Sequence, residues 1–200
     1  MPGKELVIAL RATLVTLVLT GVAYPLLTTG AALALFPGRA RGSLISDEQG
    51  RVVGSELIAQ PFASAPYLHP RPSAAGEKGY DAAASGGSNL GPTSKALRDR
   101  AVKEVERLRR DNPDAPGAVP MELVTASASG LDPHLSPEAA LWQAPRIAQA
   151  RGVAPDRVRA VIDANVEGRD LLVLGEPRVN VLLVNLALDR LFGRPPLAGR

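Results

Sequence analysis

The stretch Ala12–Phe36, ATLVTLVLTGVAYPLLTTGAALALF, runs for 25 residues without a charged side chain, and arginines border it at positions 11, 39 and 41. An α-helix rises about 1.5 Å per residue, so this stretch reaches about 37 Å. The hydrocarbon core of a bilayer is roughly 30 Å thick. We therefore predict one transmembrane helix over residues 12–36.

The rest of the chain is too polar and too often interrupted by proline and glycine for a second crossing. We divide it into an N-terminal flank, residues 1–11, and one soluble domain, residues 37–200. A cleaved signal peptide is the competing interpretation of the apolar stretch, but signal-peptide cores usually run only about 7 to 15 residues. Basic residues flank the stretch on both sides, so the positive-inside rule does not choose the orientation.

Two residues inside the apolar stretch predict a helix irregularity. Pro25 has no backbone N–H, which leaves the carbonyl of Gly21 without its helical partner one turn earlier. Transmembrane helices tolerate such breaks when neighbouring helices or Ser and Thr hydroxyls bind the freed groups. The threonines at positions 16, 20, 28 and 29 supply such hydroxyls.

The soluble part predicts an α+β fold, a single mixed domain with short strands and about four helices. Turn residues Asp47–Gly50 separate two short apolar segments, and a long Pro-, Gly- and Ser-rich loop follows over residues 59–92. The predicted strands are Ser43–Ile45, Val52–Ile58 and Met121–Ser127; the predicted helices cover residues 94–110, 137–151 and 155–166 and a last apolar segment after Pro177.

Composition excludes several functions. The chain has no cysteine, so disulfides, thiolate nucleophiles and cysteine-ligated zinc are all excluded. A net charge of +3 and an aromatic content of 4% do not provide the clustered basic and aromatic surface that nucleic acid needs, so we expect no nucleic-acid partner. With only two histidines, in separate loops, we also predict no metal site.

Two loops contain residue types that can perform chemistry. Ser127, Asp132 and His134 lie close together in sequence and suggest a membrane-tethered hydrolase, although Ser, Asp and Gly are equally the residues of turns and caps. The small residues Ser85–Asn89 offer backbone N–H groups to an anion. They lack the lysine and the following hydroxyl of a P-loop.

Several motifs along the chain resemble the C subunit of the Kdp potassium-transporting ATPase. The likeness covers nearly the whole chain, apolar helix included. It is carried by GSLI (42–45), VGS (53–55), RPSA (71–74), SGGSNLGP (85–92), LVTAS (123–127) with GLDPH (130–134), AQARG (148–152), and GEPRVN (175–180) with NLALD (185–189).

The resemblance implies a non-catalytic accessory subunit of an ATP-driven potassium-uptake complex in the bacterial inner membrane. Its partners there are a pore-forming potassium-binding subunit, a P-type subunit that hydrolyses ATP, a small accessory subunit and membrane lipid. The family's C subunit is required for assembly and activity and has no catalytic aspartate. We therefore expect no enzymatic activity from this chain alone.

Two mechanisms accompany the resemblance, and they place the soluble domain on opposite sides of the membrane. In one, Ser85, Gly86, Gly87, Ser88 and Asn89 form a nucleotide loop, similar to the signature motif of ABC transporters, and the subunit is a catalytic chaperone that raises the pump's affinity for ATP. In the other, the domain is extracytoplasmic and caps the pore. The family often has a glutamine where this chain has Ala83. We therefore favour the external cap and keep ATP as the cofactor that the family implies.

Overall fold

The computed structural model describes residues 2–47 and 49–195. The chain divides into two compact units, with the division between Val53 and Gly54. The first unit contains a long apolar helix and the second contains an α+β domain, which confirms the predicted fold class.

The apolar helix is longer than the uncharged stretch. It consists of α1 (Pro2–Val18), a π-helical turn (Leu19–Ala23) and α2 (Tyr24–Leu35), so it already includes residues 2–11 of the predicted N-terminal flank. Over Gly3–Leu35 it is long and apolar enough to cross a membrane, and its leucine and valine side chains are exposed. In water such exposure would be strongly unfavourable, and in lipid it is favourable.

The predicted irregularity is confirmed and takes the form of the π-helical turn. The N–H of Tyr24 donates to the carbonyl of Leu19, five residues earlier, immediately before the proline at position 25. The hydroxyl of Thr20 donates to the carbonyl of Thr16 at 2.8 Å, and that of Thr28 to Tyr24 at 2.8 Å. Hydroxyls from the same helix therefore bind its carbonyls on both sides of the break.

A short helix, α3 (Pro37–Ala40), follows, and then β1 (Leu44–Ser46) and β2 (Val52–Ser55) form a two-stranded sheet. Asp47 organises the turn between the strands, because its carboxylate accepts the N–H groups of Gln49 and Arg51. The predicted hairpin is thus confirmed, with a second strand that ends at Ser55 and not at Ile58.

The described residues of the second unit form five α-helices: α4 (Lys95–Asp111), α5 (Pro137–Trp142), α6 (Ala144–Arg151), α7 (Pro155–Ala164) and α8 (Val181–Phe192). Ser94 and Ser136 cap α4 and α5, each accepting a backbone N–H three residues later. Proline occupies the first position of α5 and of α7, where its missing N–H has no helical partner to lose.

A three-stranded antiparallel sheet accompanies these helices, in the order β3 (His134–Leu135), β5 (Arg178–Asn180), β4 (Val166–Glu167). The central strand β5 pairs Val179 with Leu135 on one side and with Val166 on the other. Val179 is fully buried. The sheet, α5–α8 and one residue of the long loop, Leu68, contribute to a common apolar core.

Four predicted elements are wrong in detail. The helix predicted over residues 155–166 ends at Ala164, because Val166 pairs with Val179 as part of β4. Residues 137–151 form two helices because Pro145 cannot donate a helical N–H, and the break falls at Gln143. The segment Met121–Ser127 begins with a 3₁₀ turn, Met121–Leu123, because the backbone and hydroxyl of Thr125 bond back to Met121. The last helix does not follow Pro177 directly, since β5 intervenes and Asn180 caps α8.

Candidate functional site

The structure brings three of the sequence motifs together in one place, which we call the motif cluster: residues 71–75, 85–89 and 127–134. Gly86 donates its N–H to the carbonyl of Ser129 at 2.8 Å, and the hydroxyl of Ser85 donates to the same carbonyl at 3.0 Å. The Ser73 hydroxyl donates to the carbonyl of Gly130 at 2.6 Å. The predicted anion loop is therefore attached to the loop that holds the predicted hydrolase residues.

Glycines in the motif cluster permit close backbone approach. A Cβ on Gly87 would lie 2.9 Å from the carbonyl oxygen of Ala128. One on Gly130, whose φ is +68°, would lie 2.7 Å from both the nitrogen of Ala75 and the carbonyl oxygen of Gly86. These obstacles are backbone atoms and cannot rotate away. The glycines are thus explained by loop-to-loop packing.

Ser73 and Tyr80 hold the edge of the motif cluster. The Ser73 hydroxyl accepts the N–H groups of Ala75 at 3.1 Å and Tyr80 at 2.8 Å while it donates to Gly130. The phenol of Tyr80 donates to the carbonyl of Arg71 at 2.8 Å. Burial raises the pKa of Tyr80 to about 12, so this phenol stays protonated and remains a donor at all physiological pH values.

The predicted hydrolase residues do not form a catalytic arrangement. Nδ1 of His134 lies 3.7 Å from Oδ1 of Asp132, and the Asp132 carboxylate also accepts a hydrogen bond from Arg71 at 3.0 Å. Ser127 is buried, and among the described residues no hydrogen bond joins it to His134. A nucleophile needs a base within hydrogen-bond reach. The geometry gives no support to the hydrolase.

The predicted anion loop retains some unused donors. In the part of the chain that the structure describes, the backbone N–H groups of Gly87, Ser88 and Asn89 have no hydrogen-bond partner. Asn89 has φ +51° and is exposed, as is Ser85, whereas residues 86–88 are half-buried. The loop can therefore present backbone N–H groups to an anion, without any lysine. Over the same described residues, no group of three or more His, Asp or Glu side chains could hold a metal ion.

A second polar cluster, which the sequence did not reveal, fixes the start of the long loop against the helices. Asn185 of α8 accepts the N–H of Leu68 at 2.7 Å and donates to the carbonyl of Leu68 at 2.9 Å. Gln143 does the same for His69, at 3.0 and 3.1 Å. Both amides are 1% exposed. Two side-chain amides thus replace the neighbouring strand that this extended backbone lacks.

Arg146 lies beside these amides and is buried without a carboxylate partner among the described residues. It donates to Asn112 at 2.9 Å, to Gln143 at 2.8 Å, to the carbonyl of Tyr67 at 3.0 Å and to the carbonyl of Ala65. The pKa of Arg146 is lowered to about 10, mainly by burial. The negative charge of Asp111 raises this pKa, and the positive charge of Arg107 lowers it. The group stays charged at neutral pH.

His69 is held neutral by the same surroundings. Burial, and then the charge of Arg146, lower the pKa of His69 from 6.5 to about 4. Its Nε2 lies 3.0 Å from the carbonyl oxygen of Ser64, which can only accept, and 3.3 Å from Nη1 of Arg146, which can only donate.

Arg151 completes the attachment of this loop. Its guanidinium donates to the carbonyl of Pro66 at 2.7 Å and to Asp189 at 2.8 Å, and it lies over the ring of Tyr67. The phenol of Tyr67 donates to Asp189 at 3.1 Å. A signal for this cluster exists in the sequence: Arg146 and Asn185 are polar residues among the buried side chains of α6 and α8. Gln143 lies at the break between α5 and α6.

The comparisons with known proteins agree with the motifs. The profile of the family described as "KdpC: K+-transporting ATPase, c chain" matches residues 6–190. The chain is 69% identical over 188 residues to the "Potassium-transporting ATPase KdpC subunit" of Myxococcus xanthus, covering 94% of this chain and 89% of that protein. It is 53% identical over 186 residues to the protein of the same name from Nitratidesulfovibrio vulgaris, covering 92% and 94%. The chain therefore belongs to the KdpC family, the c chain of K⁺-transporting ATPases.

Proposed function

We propose that the chain is a non-catalytic accessory subunit of an ATP-driven potassium-uptake complex in the bacterial inner membrane, needed for its assembly and activity. The observation that carries this proposal is the family match over residues 6–190, which includes both the apolar helix and the α+β domain. The absence of a joined nucleophile and base at Ser127 and His134 supports a non-catalytic role for the described motif cluster.

We further propose that the α+β domain is extracytoplasmic and stabilises the pore-forming subunit at its entrance. Two features of the motif cluster support a structural role for Ser85–Asn89. The N–H of Gly86 is already bonded to Ser129, and Gly87 is needed for its approach to Ala128. Gly87 is thus explained by loop packing, without a nucleotide.

Direct contact with ATP by Ser85–Asn89 is the second candidate. The unpaired N–H groups of Gly87, Ser88 and Asn89 favour it, because consecutive backbone donors are what phosphate oxygens bind in nucleotide loops. In this alternative the domain lies on the cytoplasmic side and raises the ATP affinity of the P-type subunit.

Cysteine labelling distinguishes the two candidates, because the natural chain has no cysteine. Ser88→Cys in the loop and Lys4→Cys at the opposite end of the apolar helix provide a matched pair. A membrane-impermeant maleimide applied to intact cells should label position 88 and leave position 4 unlabelled. Labelling of position 4 alone would overturn the extracytoplasmic cap and support the nucleotide loop.

Reconstitution tests the accessory role itself. The full chain in detergent should co-purify with the pore-forming and P-type subunits, and potassium-stimulated ATP hydrolysis should fall to background when the chain is omitted. The chain alone should hydrolyse no ATP. Full transport by a complex that lacks the chain would contradict the proposal.

A further inference from the structure

The hairpin between β4 and β5 ends in four consecutive aliphatic side chains, Leu171, Leu172, Val173 and Leu174, which we call the apolar tip. Their exposed fractions are 84%, 88%, 73% and 57%. Single exposed leucines are ordinary on a protein surface, whereas a contiguous group of four marks an interaction site.

The apolar tip has a defined conformation. Asp170 and Leu174 exchange backbone hydrogen bonds, at 2.8 Å from the N–H of Asp170 and at 2.9 Å from the N–H of Leu174. Leu171 and Leu172 have φ values of +51° and +68°, in the left-handed region that leucine rarely adopts. Glycine or asparagine would adopt that region with less strain. The chain thus uses leucine where the backbone alone favours another residue.

Ion pairs fix the base of the hairpin. Arg178 pairs with Glu167 at 3.0 Å and with Asp170 at 3.1 Å, and Arg169 pairs with Glu176 at 2.7 Å. Both guanidinium groups are therefore matched, and the hairpin carries one more carboxylate than guanidinium. The hairpin itself is therefore slightly negative, with no unpaired cation among those of its residues that the structure describes.

These features favour a protein partner over lipid. Segments that bind the membrane interface combine leucine or aromatic side chains with lysine or arginine that can reach anionic lipid. The apolar tip has the leucines, but both arginines of the hairpin are paired with carboxylates. A fluid lipid surface also requires no fixed shape, whereas a rigid tip loses little entropy when it enters a formed pocket.

We propose that the apolar tip docks into an apolar recess with a net-positive rim on the extracytoplasmic face of the pore-forming subunit. This inference rests on the proposed accessory function and deepens it by naming the part of the domain that binds. The four aliphatic side chains form the buried centre of the contact, and the carboxylates at the hairpin base face the rim.

A double substitution separates docking from folding. Leu171→Asn with Leu172→Asn removes the apolar surface and places at positive φ a residue that tolerates it. The full chain should keep or raise its melting temperature in detergent, while the amount of co-purified pore-forming subunit should fall at least tenfold. The matched control is Val102→Asn with Met121→Asn, two other exposed apolar residues at 53% and 78%, and it should co-purify as the natural chain does.

A photo-crosslink identifies the partner without relying on that variant. Val173→Cys, the only thiol in the chain, is labelled with benzophenone maleimide and irradiated in the assembled complex in lipid nanodiscs. An adduct with the pore-forming subunit is expected. An adduct with lipid alone, or with the P-type subunit alone, would overturn the inference.

The two proposals fail in different ways. If the natural chain does not co-purify with any subunit, the accessory function fails. If the natural chain co-purifies and the double asparagine variant does so equally well, the accessory function stands and the docking of the apolar tip is overturned.

Discussion

Asn185 on helix α8 bonds to both backbone groups of Leu68, 117 residues earlier in the chain. One carboxamide thus satisfies an N–H and a carbonyl that are fully buried and have no neighbouring strand. The same arrangement recurs between Gln143 and His69. The long loop, which has almost no regular structure of its own, is therefore held to the core by side chains that act in place of a β-ladder.

Replacing Asn185 with alanine should destabilise the domain by about 2–4 kcal/mol, because two buried backbone groups lose their partners at once. Chemical denaturation measures the loss, and hydrogen exchange at the Leu68 amide should accelerate correspondingly. Asn165→Ala is the control. The Asn165 side chain makes a single local hydrogen bond, to the carbonyl of Val161, so this substitution should lower the free energy of unfolding by about 1 kcal/mol. Equal losses for the two variants would contradict the assigned role of Asn185.

Replacing Arg146 with methionine should lower the free energy of unfolding by about 2–4 kcal/mol. The substitution removes a buried charge, which is favourable, but it leaves Asn112 and two loop carbonyls without this donor, and Gln143 keeps only the His69 N–H. Arg146→Lys should not restore stability, since a single ammonium cannot reach acceptors arranged around a planar guanidinium. Arg110→Met, at an exposed position of α4, should change the free energy of unfolding by less than about 0.5 kcal/mol. A stable Arg146→Met protein would show that the buried guanidinium is dispensable.

Stability should decline with acidification between about pH 6.5 and pH 4 because of His69. The unfolded chain binds a proton on this histidine near 6.5, whereas the folded chain does so only near 4, so the proton favours unfolding in that window. The contribution lost on going from above the window to below it is at most about 3 kcal/mol. The His69→Gln variant should show a shallower dependence of unfolding free energy on pH.

A direct titration provides the check on this prediction. The imidazole resonance of His69, followed by NMR in the folded chain, should not shift until the pH is well below 6. A midpoint above 6 would show that His69 is charged in the fold at near-neutral pH and would refute the proposed pH window.

Gly130→Ala and Gly152→Ala form a matched pair that separates packing from backbone strain. Both glycines have positive φ, +68° and +64°. A Cβ at position 152 meets open space. The substitution should therefore lower the free energy of unfolding only by the strain of a left-handed alanine backbone, about 1–2 kcal/mol. At position 130 it meets the backbone of Ala75 and Gly86, and we expect a loss of at least about 3 kcal/mol, measured by thermal unfolding. Similar losses would mean that the loops of the motif cluster are not closely packed.

Local signals in the sequence predicted much of the secondary structure. The apolar spacing of residues 94–110 predicted α4, and prolines at 137 and 155 marked the starts of α5 and α7. The prediction missed Pro145 as a helix breaker, although that signal is equally local. Sequence patterns could not have predicted β5, because a segment of three residues is too short to show an alternating pattern. Residues 178–180 form a strand only because they pair with β3 and β4.

The candidate site was predicted only in pieces. The sequence singled out Ser85–Asn89 and Ser127–His134 separately, but their contact through Gly86 and Ser129 joins residues far apart in the chain. The partners of Arg146 come from three different segments, and no spacing rule connects them.

The apolar helix was determined by the sequence alone, because length and the absence of charge act locally and need no partner from the rest of the chain. The irregularity before Pro25 is equally local, since it follows from one missing N–H. The motif cluster, the attachment of the long loop and the exposure of the apolar tip were decided only by the tertiary structure. Each depends on which distant backbone groups and side chains meet, and the free energy of those contacts exists only once the chain has folded.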